Sequence, residues 1–226
     1  VPGLLLVVLA IDVRECFDSG IRRLRSSLLG SFKFDAEDLR FRLQDVNVHP
    51  SSGDFDDIDH RKSHVSAAVL VPIVNRSVAP AVLLTKRTDH LHHHPGQISF
   101  PGGRVEEADT SPIDTALRET EEEIGLHRRH IELIGTLPDY LTGTGFRVTP
   151  VVGLVTPPFE LTLDAFEVAE AFEVPLSHFL DPANHEQHSI VHEGRVRQFH
   201  AMPYQGHFIW GATAGIIMSL YRVLRG

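Results

Sequence analysis

The chain has 226 residues, enough for one large domain or for a domain with an extension. It is 42% hydrophobic and 23% charged, and its 21 Lys and Arg against 30 Asp and Glu give a formal charge of −9, which argues against a protein that coats nucleic acid. An anionic small molecule stays open as a substrate if a metal ion or a local basic patch reverses the field. The single cysteine, Cys16, excludes an intramolecular disulfide and a Cys-rich zinc site.

Along the chain, Val1–Val13 is an apolar run without a basic segment before it. It reads as a first strand or hydrophobic tail, with a cleaved signal peptide or a mispredicted start as the alternatives. It is too short to span a membrane, so no membrane association is expected and the cytoplasm is the default location. Residues 18–45 carry helical periodicity. Asp18 or Ser19 caps a segment with Ile21, Leu24 and Leu28 that stops at Gly30, and Asp35 caps a shorter one with Leu39 and Leu43. The polar stretch 46–64 reads as a linker, dividing an N-terminal, partly helical extension (1–62) from a main domain (63–226).

The apolar runs Ala67–Val74 and Ala81–Thr85, separated by Asn75–Pro80, predict a β-hairpin. A loop at 88–96 leads to a short strand at Gln97–Phe100 and then to Pro101-Gly102-Gly103. A helix is expected at about 112–124. Strands are expected at Ile131–Leu137, Val148–Val155 and Gln198–Pro203, and a core-closing helix at Trp210–Leu224. Strands mixed with a few helices imply a sheet sandwiched between helices.

The helix at 112–124 carries the chemistry. Ser111 is its N-cap, Pro112 suits the first turn, Asp114 stands where a capping box wants an acid, and Gly125 is the stop. Glu119, Glu122 and Glu123 fall on one face. Like charges at this spacing repel, and the helix C-terminus adds to the penalty. A solvated acidic face is the plain reading of Glu121-Glu122-Glu123. The glycine loop before it favours a hard divalent cation, Mg²⁺ or Mn²⁺, held by carboxylate oxygens, with Arg118 orienting them.

Gly103, Arg118-Glu119, Glu122-Glu123 and Gly125-Leu126 resemble the Nudix box, a glycine followed by RE-x-x-EE-x-G. The interval after the glycine is one residue longer than usual, with Asp109 near the place of the usual glutamate, and Thr120 replaces an aliphatic residue. The longer interval is similar to the coenzyme A diphosphatase branch. So are Leu83-Leu84-Thr85-Lys86-Arg87, the run Leu91 to Gly103, Gly145 to Pro150 and Trp210 to Thr213, with His92 standing where an arginine is usual. The likeness spans roughly 63–224.

The resemblance implies an α/β (α+β) Nudix-like mixed sheet between helices. It implies metal-dependent hydrolysis of the pyrophosphate of coenzyme A or acyl-coenzyme A to 4′-phosphopantetheine and adenosine 3′,5′-bisphosphate. Other nucleoside diphosphate derivatives (ADP-ribose, NADH, a nucleoside triphosphate) are the alternative, and a non-catalytic nucleotide-binding module is a third. Glu119 and Glu123 are expected as the main metal ligands, with the Gly103 carbonyl expected to complete the shell. Glu122 is a ligand of a second ion or a base on the attacking water, and Glu119, Glu122 and Arg118 form the catalytic set. Glu167, Glu170 and Glu173 are a reserve list for the base. Arg87, Lys86, Arg104 and Gly102 are expected at the substrate's phosphates. Phe100 and Phe146 read as core or as adenine-stacking residues, and Trp210 as a core anchor. The cluster His90, His92, His93 and His94 reads as a loop beside an anionic substrate or a plain surface loop rather than a zinc site. No nucleic acid or membrane partner is expected, and a homodimer is left open.

Overall fold

The computed structural model describes residues 34–44, 64–91, 94–192 and 195–225. The apolar opening run, the first helical segment and almost all of the expected linker lie outside the described residues, as do His92 and His93.

A mixed sheet forms the centre. Strand β1 (Val65–Val74) runs parallel to β7 (Phe146–Val155) over its whole length. Strand β5 (Ile131–Thr136) lies antiparallel on the far side of β7, and the short β6 (Tyr140–Leu141) also pairs with β7. On the other side β1 meets β2 (Ala81–Arg87), which in turn pairs with β3 (Ile98–Ser99) and β8 (Val168–Pro175). The β1–β2 hairpin expected from the sequence exists, but only its turn end is paired, Ile73 with Val82 and Val74 with Ala81. The strands then diverge, and β4 (Gly102–Arg104) takes the space beside residues 67–69 of β1.

Both faces of this sheet are covered, which is why β1 reads as a continuous apolar run instead of alternating. Helix α2 (Pro112–Ile124) packs Ala116, Leu117 and Ile124 on one face, against Ala68, Leu70, Val74, Leu83, Val151 and Val155. The other face carries α1 (Ala36–Gln44), α3 (Leu176–Leu180) and α4 (Gly211–Arg225), whose apolar side chains meet Val71, Ile73, Val82, Leu84, Val152 and Leu154. A separate hairpin, β9 (Glu186–His192) and β10 (Arg195–Ala201), precedes α4.

Helix α1 is an integral part of this core. Leu39 and Leu43 are buried completely or nearly so, and the Leu43 carbonyl sits where a Cβ on Gly135 would come within 2.5 Å of it. Arg40 adds a two-pronged contact to Glu132 of β5 at 2.8 Å. Residues 34–44 therefore belong with the main domain, although the sequence places them in the extension.

Candidate active site

The carboxylate helix is framed as its sequence implies. Ser111 Oγ accepts the Asp114 N–H at 3.2 Å, and Gly125 closes the helix at φ 67° with its N–H on the Glu121 carbonyl. The reciprocal half of a capping box is absent, because the Asp114 carboxylate takes the Thr110 hydroxyl instead. The last carbonyls of the helix are capped from outside. Thr162 N–H donates to Ile124 C=O and Asp164 N–H to Glu123 C=O, both at 2.9 Å. The segment before β8 is thereby fastened to the end of α2.

The three glutamates do not behave alike. Glu123 is 6% exposed. Its Oε2 accepts the Gly102 N–H at 3.3 Å, and Arg87 Nη1 stands 3.9 Å from its Oε1. Burial pushes its carboxyl up to about 8, against the pull of Arg87 and the Gly102 N–H, and Glu119 and Glu167 push it further. Glu119 is half-buried on Gly103, where a Cβ would come within 2.4 Å of its carboxylate. Its carboxyl is also raised, by desolvation first, with Arg118 opposing and Glu122 and Glu167 adding to the rise. Glu122 points outward, 60% exposed, and pairs with Arg118 at 2.9 Å. The geometry thus joins Glu119 and Glu123 to the Gly102-Gly103 turn and leaves Glu122 at the rim.

Arg118 is the hub. Its Nη1 lies 3.0 Å from Glu119 and 2.9 Å from Glu122. Its Nε and Nη2 grip the two oxygens of Asp109, both at 3.0 Å, and Nη2 also reaches the Arg104 carbonyl at 3.3 Å. Asp109 accepts in addition the Glu106 N–H and the Thr115 hydroxyl. This set, led by Arg118, holds Asp109 far below the usual carboxylate range, and Asp109 in turn raises Arg118. Asp109, near the place of the usual glutamate, is thus bound to Arg118 across the longer loop.

The remaining expected residues separate. Gly102, expected at substrate, directs its N–H to Glu123. Arg87 faces the carboxylates, whereas the neighbouring Lys86 projects from the opposite face of β2. The reserve acids resolve as well. Glu173 is paired with Arg76 at 2.5 Å and Glu170 with His207 at 3.2 Å, so both have partners elsewhere. Glu167 is the acid whose charge acts on both Glu119 and Glu123. Its backbone is fixed from two sides, its N–H on the Asp164 carbonyl and its own carbonyl on the Thr88 N–H. Nothing in the sequence spacing distinguishes it from Glu170 and Glu173. The difference arises from which face of the chain reaches α2.

Phe100 is buried in the core, and Phe146 lies half-buried beneath Arg104. Trp210 meets the Phe199 and Phe208 rings at the entrance to α4, and His90 abuts Phe166. Among the described residues no three His, Cys, Asp or Glu side chains already converge as a metal cage, and Glu119 and Glu122 are each paired with Arg118. The donors themselves suit a hard divalent cation. Two adjacent carboxylates with raised pKa values share one glycine cradle and would lose their mutual repulsion to a cation.

Comparison with known proteins agrees with this architecture. Residues 63–195 match the NUDIX domain model. Nudix hydrolase NudL of Enterobacter sp. (strain 638), named as uncharacterized, is 45% identical over 154 residues, covering 68% of this chain and 80% of the relative. The protein of the same name from Escherichia coli O7:K1 (strain IAI39 / ExPEC) is 43% identical over 158 residues, covering 70% and 82%. With its glycine cradle, its arginine-centred carboxylate helix and these relatives, the chain belongs to the Nudix family, hydrolases that cleave the pyrophosphate bond of nucleoside diphosphate derivatives.

Proposed function

We propose that the chain hydrolyses the pyrophosphate of coenzyme A or acyl-coenzyme A, giving 4′-phosphopantetheine or its acyl form and adenosine 3′,5′-bisphosphate. The observation that carries the reading is how the segment Leu83–Gly103, which resembles the coenzyme A branch, is tied to the carboxylate helix. Arg87 from its start faces Glu123, the Arg87 N–H holds the Gln97 carbonyl at 2.9 Å, and Gly102 and Gly103 at its end seat Glu123 and Glu119.

Glu119 and Glu123, with the Gly103 carbonyl, would hold Mg²⁺ or Mn²⁺. When bound, the ion neutralises the diphosphate and lowers the pKa of a coordinated water. Arg118 keeps Glu119 in place and offsets its charge until then, Arg87 and the Gly102 N–H hold Glu123, and Glu122 would become a further ligand by leaving its pair with Arg118. Glu167, locked between Asp164 and Thr88, receives the proton of the attacking water on its carboxylate. Water oxygen adds to one phosphorus, the bridging P–O bond opens, and its oxygen leaves with the other phosphate. Arg87 lies where it can meet that developing charge.

Product identification from coenzyme A with Mg²⁺ or Mn²⁺ tests the reading. Release of 4′-phosphopantetheine and adenosine 3′,5′-bisphosphate at a rate above those for ADP-ribose, NADH and nucleoside triphosphates supports it. Faster turnover of one of those three refutes the coenzyme A assignment, and no turnover of any refutes catalysis.

A further inference from the structure

Strand alternation divides the basic residues around the cleft between the two faces of the sheet. On β2, Val82 and Leu84 enter the core beneath α4 while Leu83 packs with Ile124 of α2. Lys86 thus projects on the α4 face, and Arg87 on the α2 face beside Glu123. The same division occurs in β4. Gly103 lies against Glu119, but the next residue, Arg104, is paired with Ala67 of the α4-side core. Its guanidinium carbon sits 5.2 Å from the centre of the Phe146 ring.

Arg104 is exposed, and among the described residues its guanidinium forms no ion pair with a carboxylate. Its main chain is nonetheless fixed, because its carbonyl accepts Arg118 Nη2 at 3.3 Å. Phe146 is an equally fixed shelf. Its N–H reaches Thr142 Oγ1 at 3.0 Å, its carbonyl holds the Thr142 N–H at 2.9 Å, and Gly145 at φ 90° makes the tight turn that this needs. The ring packs against the α4-side core. A guanidinium placed over an aromatic face gives up some rotational freedom in advance and keeps N–H groups for an acceptor. In a chain of charge −9, a cation that has no carboxylate partner among the described residues and stands one residue from the glycine cradle is a local reversal of field.

We propose that Arg104, held on Phe146, is an anion subsite for a phosphomonoester on the part of the substrate that does not react, such as a phosphate on a ribose hydroxyl. It is separate from Arg87, which serves the scissile diphosphate. The location of that diphosphate rests on the hydrolytic reading above. In coenzyme A the group in question is the 3′-phosphate of the adenosine.

The test is calorimetric titration of the full chain, without metal, using adenosine 3′,5′-bisphosphate and adenosine 5′-monophosphate as probes. The wild-type protein should bind the bisphosphate at least tenfold more tightly, about 1.4 kcal/mol. Arg104→Ala should bring the two affinities within twofold of each other. Arg104→Lys keeps the charge without the flat fork and should give an intermediate ratio. Phe146→Leu should lower the ratio while a melting curve reports that the fold is retained, and Phe146→Tyr should restore it. Arg87→Ala should weaken both probes alike. An Arg104→Ala ratio within twofold of wild type, or a wild type without preference, overturns the subsite. Either result leaves the coenzyme A product test untouched, because the binding ratio needs neither metal nor turnover.

Discussion

Replacing Glu123 with Gln separates the cost of the buried carboxylate from its use. The side chain is 6% exposed, and its carboxyl stays protonated up to about pH 8 in the folded chain, against 4.5 ordinarily. The folded state thus keeps a proton that the unfolded state releases. Stability is full below pH 4.5 and is lost as pH rises through 8. At about 1.4 kcal/mol per pH unit the loss is on the order of 3–5 kcal/mol between pH 5 and pH 8. A repulsion argument for an exposed helix face would give only a few tenths of a kcal/mol. Glutamine copies the neutral form and removes this loss. In EDTA at pH 5 the variant and wild type should melt within about 2 °C of each other; at pH 8 the variant should melt higher by on the order of 10 °C. With saturating Mg²⁺ its turnover should fall at least a hundredfold, roughly 2.7 kcal/mol of barrier. A difference in Tm that stays flat from pH 5 to pH 8 would show that Glu123 ionises normally. A rate within about threefold of wild type, about 0.7 kcal/mol, would place the metal elsewhere.

Four further substitutions address other parts of the site and core. Gly103→Ala puts a methyl group where the Glu119 carboxylate lies, so kcat should drop at least tenfold while the Tm in EDTA moves by less than about 3 °C, since a flexible side chain is what must shift. Glu167→Gln should lower kcat on the order of a hundredfold, whereas Glu173→Gln, which only breaks a contact to Arg76, should leave kcat within twofold. Leu39→Ala opens a cavity under α1 worth about 2–5 kcal/mol, read as a Tm lower by roughly 5–15 °C with kcat unchanged at low temperature. By the same logic a chain starting near residue 61, which lacks α1, should be far less stable than the full chain, and an unchanged Tm would remove α1 from the core.

What was legible in the sequence was local. Ser111, Pro112 and Gly125 fix the ends of α2, and the helix runs from Pro112 to Ile124 as expected. Asp35 with Leu39 and Leu43 marks α1, and the apolar runs mark β1, β2, β5 and β7. The pairing of those strands was not legible. A turn at Asn75–Pro80 announces a hairpin, but β1 gives most of its length to β7, because apolar strands buried on both faces carry no alternation to name a partner. Strand β8 was not expected, because the acids of 167–173 read as a reserve list for the base, while in the fold Glu170 and Glu173 meet His207 and Arg76. In the site, helical spacing put Glu119, Glu122 and Glu123 on one face, but it could not say that Arg118 would hold Glu122 at the rim while Glu123 sinks under the Gly102 N–H. Which of three nearby acids looks toward α2 is likewise set by how the 156–168 segment docks on the helix end.

The parallel pairing of β1 with β7 has a bearing on how the chain is made. Val65 lies opposite Phe146 and Val74 opposite Val155, partners 81 positions apart (146 − 65). Closing so long a loop costs entropy before any contact repays it, and such topologies reach the folded state slowly. On a ribosome adding about 5–20 residues per second, β1 emerges roughly 4–16 s ahead of its main partner. Helix α2 carries its own caps, but through that interval the apolar faces of β1 and α2 have no finished sheet to close them. Substitutions in Leu70–Val74 or Val151–Val155 should accordingly act first on the yield of soluble chain made at 37 °C, and only afterwards on the rate constant of whatever molecules fold.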